Sequence, residues 1–266
     1  MSIKCADTND PKDLIEIFAV DKTLFKCKFE QAISGDGQED TRIRTLHSSA
    51  LLPLLCFYGI SEEKPLVLEI YNRKVSFISS KFEVRNKVWE GHYSNIDVLL
   101  SGKDENGKQV KLFLESKFSE YLNWGKYTGI SEAVYGDKYE ALKSTFDKMG
   151  LAYNDGTLCS AKGHTLHYAA GIKQMISHFI GLKNEIVNGT YSDADIYLGT
   201  ILYKFPETVD NKHKKFEDYT TLYGDLAKGL NALTESKFKV IESCFTYKEL
   251  FKDYNLDKNV KLFYSL

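Results

Sequence analysis

The 266-residue chain has few cysteines and prolines and no excess of positive charge. Its five cysteines are odd in number and contain no Cys-x-x-Cys pair, so neither a disulfide framework nor a four-cysteine metal or iron–sulfur site is indicated. There are only four prolines, and no stretch rich in Pro, Gly and Ser marks a linker between domains. The cysteine pattern suits a reducing compartment, and we expect a cytoplasmic protein.

Charge and hydropathy narrow the class of protein further. Lys and Arg number 35 against 37 Asp and Glu, a formal charge of -2, so no global positive field attracts nucleic acid. The best apolar stretch, residues 50–60, is far shorter than the ~20 residues that a membrane span needs, and no membrane partner is expected. A hydrophobic content of 43% is typical of a soluble folded protein. A nucleic-acid partner would therefore need a local basic patch or a bound metal.

The hydrophobic pattern predicts a mixed β-sheet with helices around it. Residues 13–33 and 38–58 have helical spacing, and Pro53 marks either a kink or a fresh start capped by Ser48 or Ser49. Short β-prone pieces follow between residues 66 and 88. Later segments complete the pattern: helices at 131–149, 164–187 and 219–233, and a buried strand at 196–203. We expect one α/β domain over residues 1–266, with a core at approximately 34–205 and additional N- and C-terminal helices.

Two strand-like runs contain the candidate chemistry. Residues 95–100 and 110–118 are joined by a segment with Asn106-Gly107, a strong local signal for a β-hairpin. Successive side chains of a strand point to opposite faces, so Glu115 and Lys117, two residues apart, share a face.

The turn between the runs decides whether Asp97 joins this pair. A three-residue loop at 105–107, with its glycine in the left-handed conformation, places Asp97 opposite Glu115. A two-residue Asn106-Gly107 turn would instead place Asp97 opposite Ser116 and separate the carboxylates. We expect the longer loop, because its register pairs apolar residues on the other face: Val98 with Leu114 and Leu100 with Leu112.

Two carboxylates with a lysine beside them suit a hard divalent ion such as Mg²⁺ or Mn²⁺. Such an ion holds a phosphate oxygen and a water together and lowers the pKa of that water. Lys117 would orient the water or neutralise charge that develops on the phosphate. The simpler interpretation is a surface hairpin with a Glu-Lys pair, since the string Glu-Ser-Lys-Phe also occurs at 235–238 without an upstream Asp strand.

The string Asn-Ile-Asp-Val-Leu-Leu (residues 95–100), a hairpin and then Leu-Glu-Ser-Lys-Phe-Ser-Glu-Tyr (residues 114–121) resemble the PD-(D/E)XK nuclease superfamily, which has the restriction-endonuclease-like fold. More narrowly, residues 34–39, 47–51 and 82–83 are similar to a group of uncharacterised bacterial restriction-endonuclease-like proteins. The resemblance covers about residues 34–180. One departure is visible, because Asn95-Ile96 stands where the name of the family has proline.

The resemblance implies a role for each residue of the hairpin motif. Asp97, Glu115 and the backbone carbonyl of Ser116 would bind Mg²⁺ or Mn²⁺, and Lys117 would assist catalysis. The family often adds an acidic residue from a preceding helix or strand, which would be Glu39 or Glu83, and we prefer Glu83 because sheet neighbours can share the face of the hairpin.

A later helix often brings a Gln or Lys toward the phosphate in this family, and Gln174 in Lys173-Gln174 fits that role. The Gln-x-x-x-Tyr pattern of recombination-type relatives is missing, since residue 178 is His. A zinc site from Cys159, His164, His167 and His178 has no familiar spacing, and scattered polar loop residues are the better interpretation.

The sequence therefore favours a metal-dependent nuclease that hydrolyses phosphodiester bonds of nucleic acid, as a DNA endonuclease of bacterial defence or repair. The alternative is a nucleic-acid-binding or partner-docking module that has the nuclease-like fold without turnover, since a fold does not guarantee its chemistry. A homodimer would suit double-strand cutting, although no residue pattern shows one.

Overall fold

A computed structural model describes residues 11–33, 43, 45–120, 127–129, 151–154, 157–160, 169–206, 212–234 and 237–266. The predicted helix at 131–149 and Glu39 lie outside these ranges. The described helices are α1 (Lys12–Phe18), α2 (Lys22–Ala32), α3 (Leu51–Phe57), α4 (Ala169–Val187), α5 (Lys212–Asn231), α6 (Tyr247–Leu250) and α7 (Lys258–Tyr264). The described strands are β1 (Leu66–Ile70), β2 (Arg73–Trp89), β3 (His92–Asp104), β4 (Gln109–Lys117), β5 (Tyr127–Gly129), β6 (Leu151–Asn154), β7 (Thr157–Ser160), β8 (Ala194–Leu202), β9 (Phe238–Val240) and β10 (Phe245–Thr246).

The main sheet is mixed. Strands β1 to β4 pair in sequence order as antiparallel neighbours, and β8 then pairs in parallel with β4. A parallel pair needs a crossover connection, and α4 lies in that crossover. Strands β9 and β10 also pair in parallel with β8, so the sheet takes in residues beyond the expected core boundary near 205. Strands β5, β7 and β6 form a separate three-stranded sheet.

Two hydrophobic clusters cover the main sheet. One contains buried residues of α1, α2, α3, α6 and α7 together with apolar residues of β1 to β4. The other contains buried residues of α4 and α5 with apolar residues of β3, β4, β8 and β9. The expectation of a mixed sheet flanked by helices, with additional terminal helices, is confirmed. None of the helices in the described ranges is long and apolar enough to cross a membrane.

The N-terminal helical pattern is interrupted where the sequence predicts one helix over residues 13–33. Helices α1 and α2 are separate because Ala19 has a left-handed backbone with φ 52°, and Asp21 Oδ1 then caps α2 by accepting from Leu24 N at 2.7 Å. The second predicted helix is shorter than 38–58 in its described part, since α3 begins only at Leu51. Pro53 lies in the first turn of α3, where its missing N–H is tolerated.

The hairpin of β3 and β4 has the three-residue loop that the sequence predicts. Asp104 N donates to Lys108 O at 3.0 Å, and Gly107, with φ 78°, donates to Asp104 O at 2.9 Å. The register pairs Val98 with Leu114 and Leu100 with Leu112, as expected. The two-residue turn is therefore wrong, and the register places Asp97 and Glu115 across from each other.

Candidate functional site

Glu115 and Lys117 meet at the end of β4. The side chains share a face as predicted, and Lys117 Nζ donates to Glu115 Oε1 at 2.5 Å. Both residues are buried, with 2% of Glu115 and 5% of Lys117 exposed. Burial of two opposite charges is costly unless they are paired and hydrogen-bonded, so this contact is not the exposed Glu-Lys pair of an ordinary surface hairpin.

Helix α4 closes over this pair with two side chains one turn apart. Gln174 Oε1 accepts a second hydrogen bond from Lys117 Nζ at 2.6 Å. His178 Nε2 forms a hydrogen bond with Glu115 Oε2 at 2.8 Å, and His178 is itself only 2% exposed. Residues four apart lie on one face of a helix, so Gln174 can bond to Lys117 while His178, one turn later, bonds to Glu115. Gln174 is at the site, as the resemblance implied.

Asp97 reaches the site from β3. Its Oδ2 accepts a hydrogen bond from the backbone N–H of Ser116 at 2.6 Å. Ser116 is the residue between Glu115 and Lys117, so this bond brings the Asp97 carboxylate to the part of β4 that contains both charged residues. The side chain is half-buried. The expected convergence of Asp97, Glu115 and Lys117 is thus present in the fold.

Glu83 extends this row of acids to β2. The neighbours of Glu83 in β2 pair with the neighbours of Asp97 in β3: Phe82 pairs with Val98, and Val84 pairs with Ile96. Glu83 has a left-handed backbone with φ 49°, an uncommon conformation for a side chain of its size. Glu83 is half-buried and lies close enough for its charge to act on Asp97.

The electrostatics of the two central acids differ. Burial, followed by the charges of Glu115 and Glu83, raises the pKa of Asp97 well above its ordinary value. Burial also opposes ionisation of Glu115, but the Lys117 ammonium and His178 hold the pKa of Glu115 at about 2. Burial opposes the charge of Lys117, while Glu115 and Asp97 together raise its pKa. Among the described side chains of the site, the carboxylates Asp97, Glu115 and Glu83 outnumber the one lysine, and Asp97 is the carboxylate that an additional positive charge would stabilise most.

One buried contact on the opposite side of β4 and a turn after the strand hold its end in place. Ser116 Oγ forms a hydrogen bond with the hydroxyl of Tyr247, at the start of α6, at 2.8 Å. Beyond Lys117, the Glu120 carboxylate accepts from the backbone N–H groups of Phe118 and Ser119 and thereby closes the turn after the strand. These contacts fix the end of β4 and hence the position of Glu115 and Lys117.

The donor set is compatible with Mg²⁺ or Mn²⁺. Within the described residues, no group of three or more His, Cys, Asp or Glu side chains is arranged to hold a metal ion. Mg²⁺, however, is commonly bound by one or two carboxylates, several waters and substrate phosphates. Asp97 and Glu115, with the Ser116 carbonyl, supply ligands of this kind, and the unfavourable charge of Asp97 is what a cation would relieve.

Sequence reasoning missed the roles of His178 and Tyr247. The Gln174-x-x-x-His178 spacing was a usable signal, because it places both residues on the helix face that supplies Gln174. Tyr247 had no such signal, since it lies 131 residues from Ser116. Of the four residues considered for a zinc site, His178 is hydrogen-bonded to Glu115. The side chains of Cys159, His164 and His167 lie outside the described part of the chain.

Comparison with known proteins gives no further guide to this site. No protein-family model, no curated protein and no solved structure matches the chain. Its function therefore has to be argued from these residues.

Proposed function

We propose that the chain is a divalent-metal-dependent nuclease that hydrolyses phosphodiester bonds, as a DNA endonuclease of bacterial defence or repair. The observation that supports it is the meeting of Asp97, Glu115 and Lys117 at one point, with both charged groups of β4 held by α4. The mixed sheet flanked by helices and the spacing of these residues also support the resemblance to the PD-(D/E)XK, restriction-endonuclease-like proteins.

Each side chain has a distinct task in this proposal. A bound Mg²⁺ or Mn²⁺ supplies Lewis-acid chemistry and a water of lowered pKa. Asp97, Glu115 and the Ser116 carbonyl hold the ion, and Glu83 adds negative charge from β2. Lys117 places a positive charge where the phosphate gains negative charge in the transition state.

Helix α4 positions this machinery. Gln174 shares the ammonium of Lys117 with Glu115, so it keeps the lysine from bonding to the carboxylate alone. His178 fixes the other oxygen of Glu115. A carboxylate held at both oxygens loses little rotational freedom when an ion or substrate arrives, which is the preorganisation that catalysis requires.

The proposal is tested by incubating the purified protein with supercoiled plasmid, linear duplex, single-stranded DNA and RNA. Each substrate is tested with Mg²⁺, with Mn²⁺ and with EDTA, beside Asp97→Ala and Lys117→Gln. We expect cleavage that needs the divalent ion and that falls at least about 100-fold in either variant, the size typical for loss of one electrostatic or acid–base group.

A matched control is available in the same hairpin. Glu105→Gln removes an exposed carboxylate from the loop at the opposite end of β3 and β4 and should cleave like the wild type. Cleavage that survives both site substitutions would show that these residues are not the site. No cleavage of any substrate, together with no ion bound in calorimetry, would instead favour the module without turnover.

A further inference from the structure

The far half of the β2–β3 hairpin forms a two-stranded ribbon. Strand β1 pairs with β2 only over residues 73–77, and β4 pairs with β3 only over residues 98–103, so β2 residues 84–89 and β3 residues 92–96 pair with each other and with no further strand in the described sheet. We call residues 84–89 and 92–96 the distal ribbon. Helix α4 packs on one face of it, where Asn184 Nδ2 donates to the carbonyls of Lys87 and Val88 at 3.0 and 2.9 Å.

The other face of the distal ribbon presents cations and aromatic rings. Along β2, Arg85 is exposed and Lys87 is half-buried, whereas Asn86 and Val88 are buried on the helix side, and the exposed Trp89 follows an irregularity in the register after Lys87. Strand β3 adds Tyr93, which pairs with Lys87 in the register. The Arg85 guanidinium lies 3.9 Å from the centre of the Tyr93 ring, and 46% of Tyr93 and 51% of Trp89 are exposed. Large aromatic side chains this exposed, beside cations, are characteristic of a binding surface.

This face lies next to the candidate site along the strands, but on the side of the sheet away from α4, which contributes Gln174 and His178 to the site. Glu83 precedes Arg85 by two residues on β2, and Asp97 follows Asn95, the register partner of Arg85, by two residues on β3. At 3.2–3.4 Å per residue, the stripe from Arg85 to Trp89 begins about 7 Å from Glu83 and ends about 20 Å from it. A polymer that extends beyond the site by these distances is therefore long enough to reach this face.

We propose that the exposed face of the distal ribbon binds the substrate nucleic acid outside the cleavage site. Arg85 and Lys87 contact phosphates, and Trp89 and Tyr93 stack on bases or sugars. The inference rests on the proposed nuclease function for the identity of the ligand. It also supplies the local basic surface that a chain with a formal charge of -2 needs in order to hold a polyanion.

Glu90 opposes binding at the tip of this surface. Its Oε2 lies 2.9 Å from Lys87 Nζ, and its side chain is far more exposed than that of Lys87. A phosphate must compete with this carboxylate for Lys87, so its removal should strengthen binding. Stronger binding in this variant and weaker binding when Lys87 is replaced would distinguish a phosphate contact from a general effect of substitution in the ribbon.

The test measures binding in EDTA, where cleavage does not occur. Fluorescence anisotropy of labelled duplex and single-stranded oligonucleotides, at several salt concentrations, compares the wild type with the double variant Arg85→Gln/Lys87→Gln. We expect the double variant to bind at least about 10-fold more weakly and to lower the slope of log K against log salt by about 1.8 for duplex or about 1.4 for single strands. Glu90→Gln should bind more tightly than the wild type.

A second double variant provides the matched control. Lys228→Gln/Lys252→Gln removes the same charge from exposed positions elsewhere and should keep at least half of the wild-type affinity. Equal melting temperatures confirm that each protein is folded. In a Trp124→Phe background, Trp89 is the remaining tryptophan, and nucleic acid should quench its fluorescence.

The outcomes separate this inference from the proposed function. Equal loss in the two double variants, no binding of any oligonucleotide, or binding only to anionic lipid vesicles would overturn the ribbon surface. A wild type that binds through the ribbon but cleaves nothing with Mg²⁺ or Mn²⁺ would refute the nuclease and leave the surface standing.

Discussion

Glu115 is the residue on which the site depends, because both of its oxygens are held inside the protein. Lys117 bonds to one oxygen and His178 to the other, and neither partner is exposed to solvent by more than a few per cent. Inside a low-dielectric interior, loss of either partner leaves a buried charge short of a hydrogen bond. Substitutions here should therefore be visible in stability as well as in activity.

We expect His178→Phe to lower the free energy of unfolding by about 1.5–3 kcal/mol, the range for a hydrogen bond to a charged group. Urea denaturation monitored by circular dichroism measures the change. His92→Phe makes the same substitution at an exposed position and should stay within about 0.5 kcal/mol of the wild type. If the two variants unfold alike, the contact with Glu115 contributes nothing to stability.

Asp97 should show the opposite behaviour, because its charge is unfavourable without a cation. Asp97→Asn keeps an oxygen that can accept from Ser116 N but removes one of the clustered negative charges. We expect this variant to be at least as stable as the wild type in EDTA. It should also lose the rise in melting temperature that we expect Mn²⁺ to give the wild type, a rise equivalent to about 2.7 kcal/mol at 100 times the dissociation constant. A lower melting temperature in EDTA, or an unchanged response to Mn²⁺, would contradict the ligand role.

At the scale of the elements, the β3–β4 hairpin determines which residues face each other. Its loop depends on Gly107, whose φ of 78° is strained for any residue with a side chain. A one-residue slip would move Asp97 away from Glu115, because successive side chains point to opposite faces. The turn at Gly107 therefore determines which residue lies opposite Asp97, although Asp97 is ten residues away in sequence.

We expect Gly107→Ala to cost about 1–2 kcal/mol, since a Cβ there would meet nothing within 4 Å and the cost is that of the backbone conformation alone. Thermal unfolding checks this value. Glu105→Ala, in the same loop and also exposed, serves as the control and should change the stability little. A variant as stable as the control would mean that the loop tolerates another conformation.

Helix boundaries were less predictable than the hairpin. Residues 13–33 have a continuous apolar period, yet Ala19 takes a left-handed backbone and divides the segment into α1 and α2. Helix α1 packs against the C-terminal α7, and Phe18 stacks with Tyr264. The interruption brings α1 onto a partner more than 200 residues away in sequence, which no local pattern records.

At the scale of the whole molecule, an ionic network joins three strands at the end of the sheet away from the site. Arg73 at the start of β2 pairs with Asp104 at the end of β3 and with Asp195 in β8. Lys108 adds a contact to Asp195 at 2.6 Å, and the Tyr197 hydroxyl accepts from Arg73 at 3.2 Å. The network connects the hairpin to the strand that follows the crossover.

This network predicts a loss of stability in acid. The hydrogen bond from Arg73 lowers the pKa of Asp104, and Lys108 and Arg73 lower that of Asp195 against the opposing effect of burial. Folded pKa values below the unfolded value of about 3.9 mean that the stabilisation is complete above that pH and disappears as the pH falls through the lower folded values.

When the pH is lowered from 5 to 3, we expect the urea midpoint of the wild type to fall by more than the urea midpoint of Arg73→Gln. At pH 6 the Arg73→Gln variant should already be less stable than the wild type. The ranges of pH follow from carboxylate pKa values near 4 or below. Arg85→Gln, which removes an arginine outside this network, should keep the pH dependence of the wild type. Parallel pH profiles for all three proteins would show that the network does not respond to acid.

The amino-acid sequence by itself determined the hairpin, its register and the meeting of Asp97 with Glu115 and Lys117. The physical reason is that these features depend on strand alternation and on a glycine turn, which are local properties of the chain. The buried strand at 196–203 was predictable for the same reason, since a continuous apolar run indicates burial on both faces.

Only the tertiary structure decided what surrounds that site. His178 bonds to a carboxylate 63 residues away, and Tyr247 bonds to a serine 131 residues away. Which face of α4 meets β4, and at what height along the strand, depends on how the whole apolar surface of the helix packs against the sheet. That arrangement is a collective result of close packing, so it became visible only once the chain was folded.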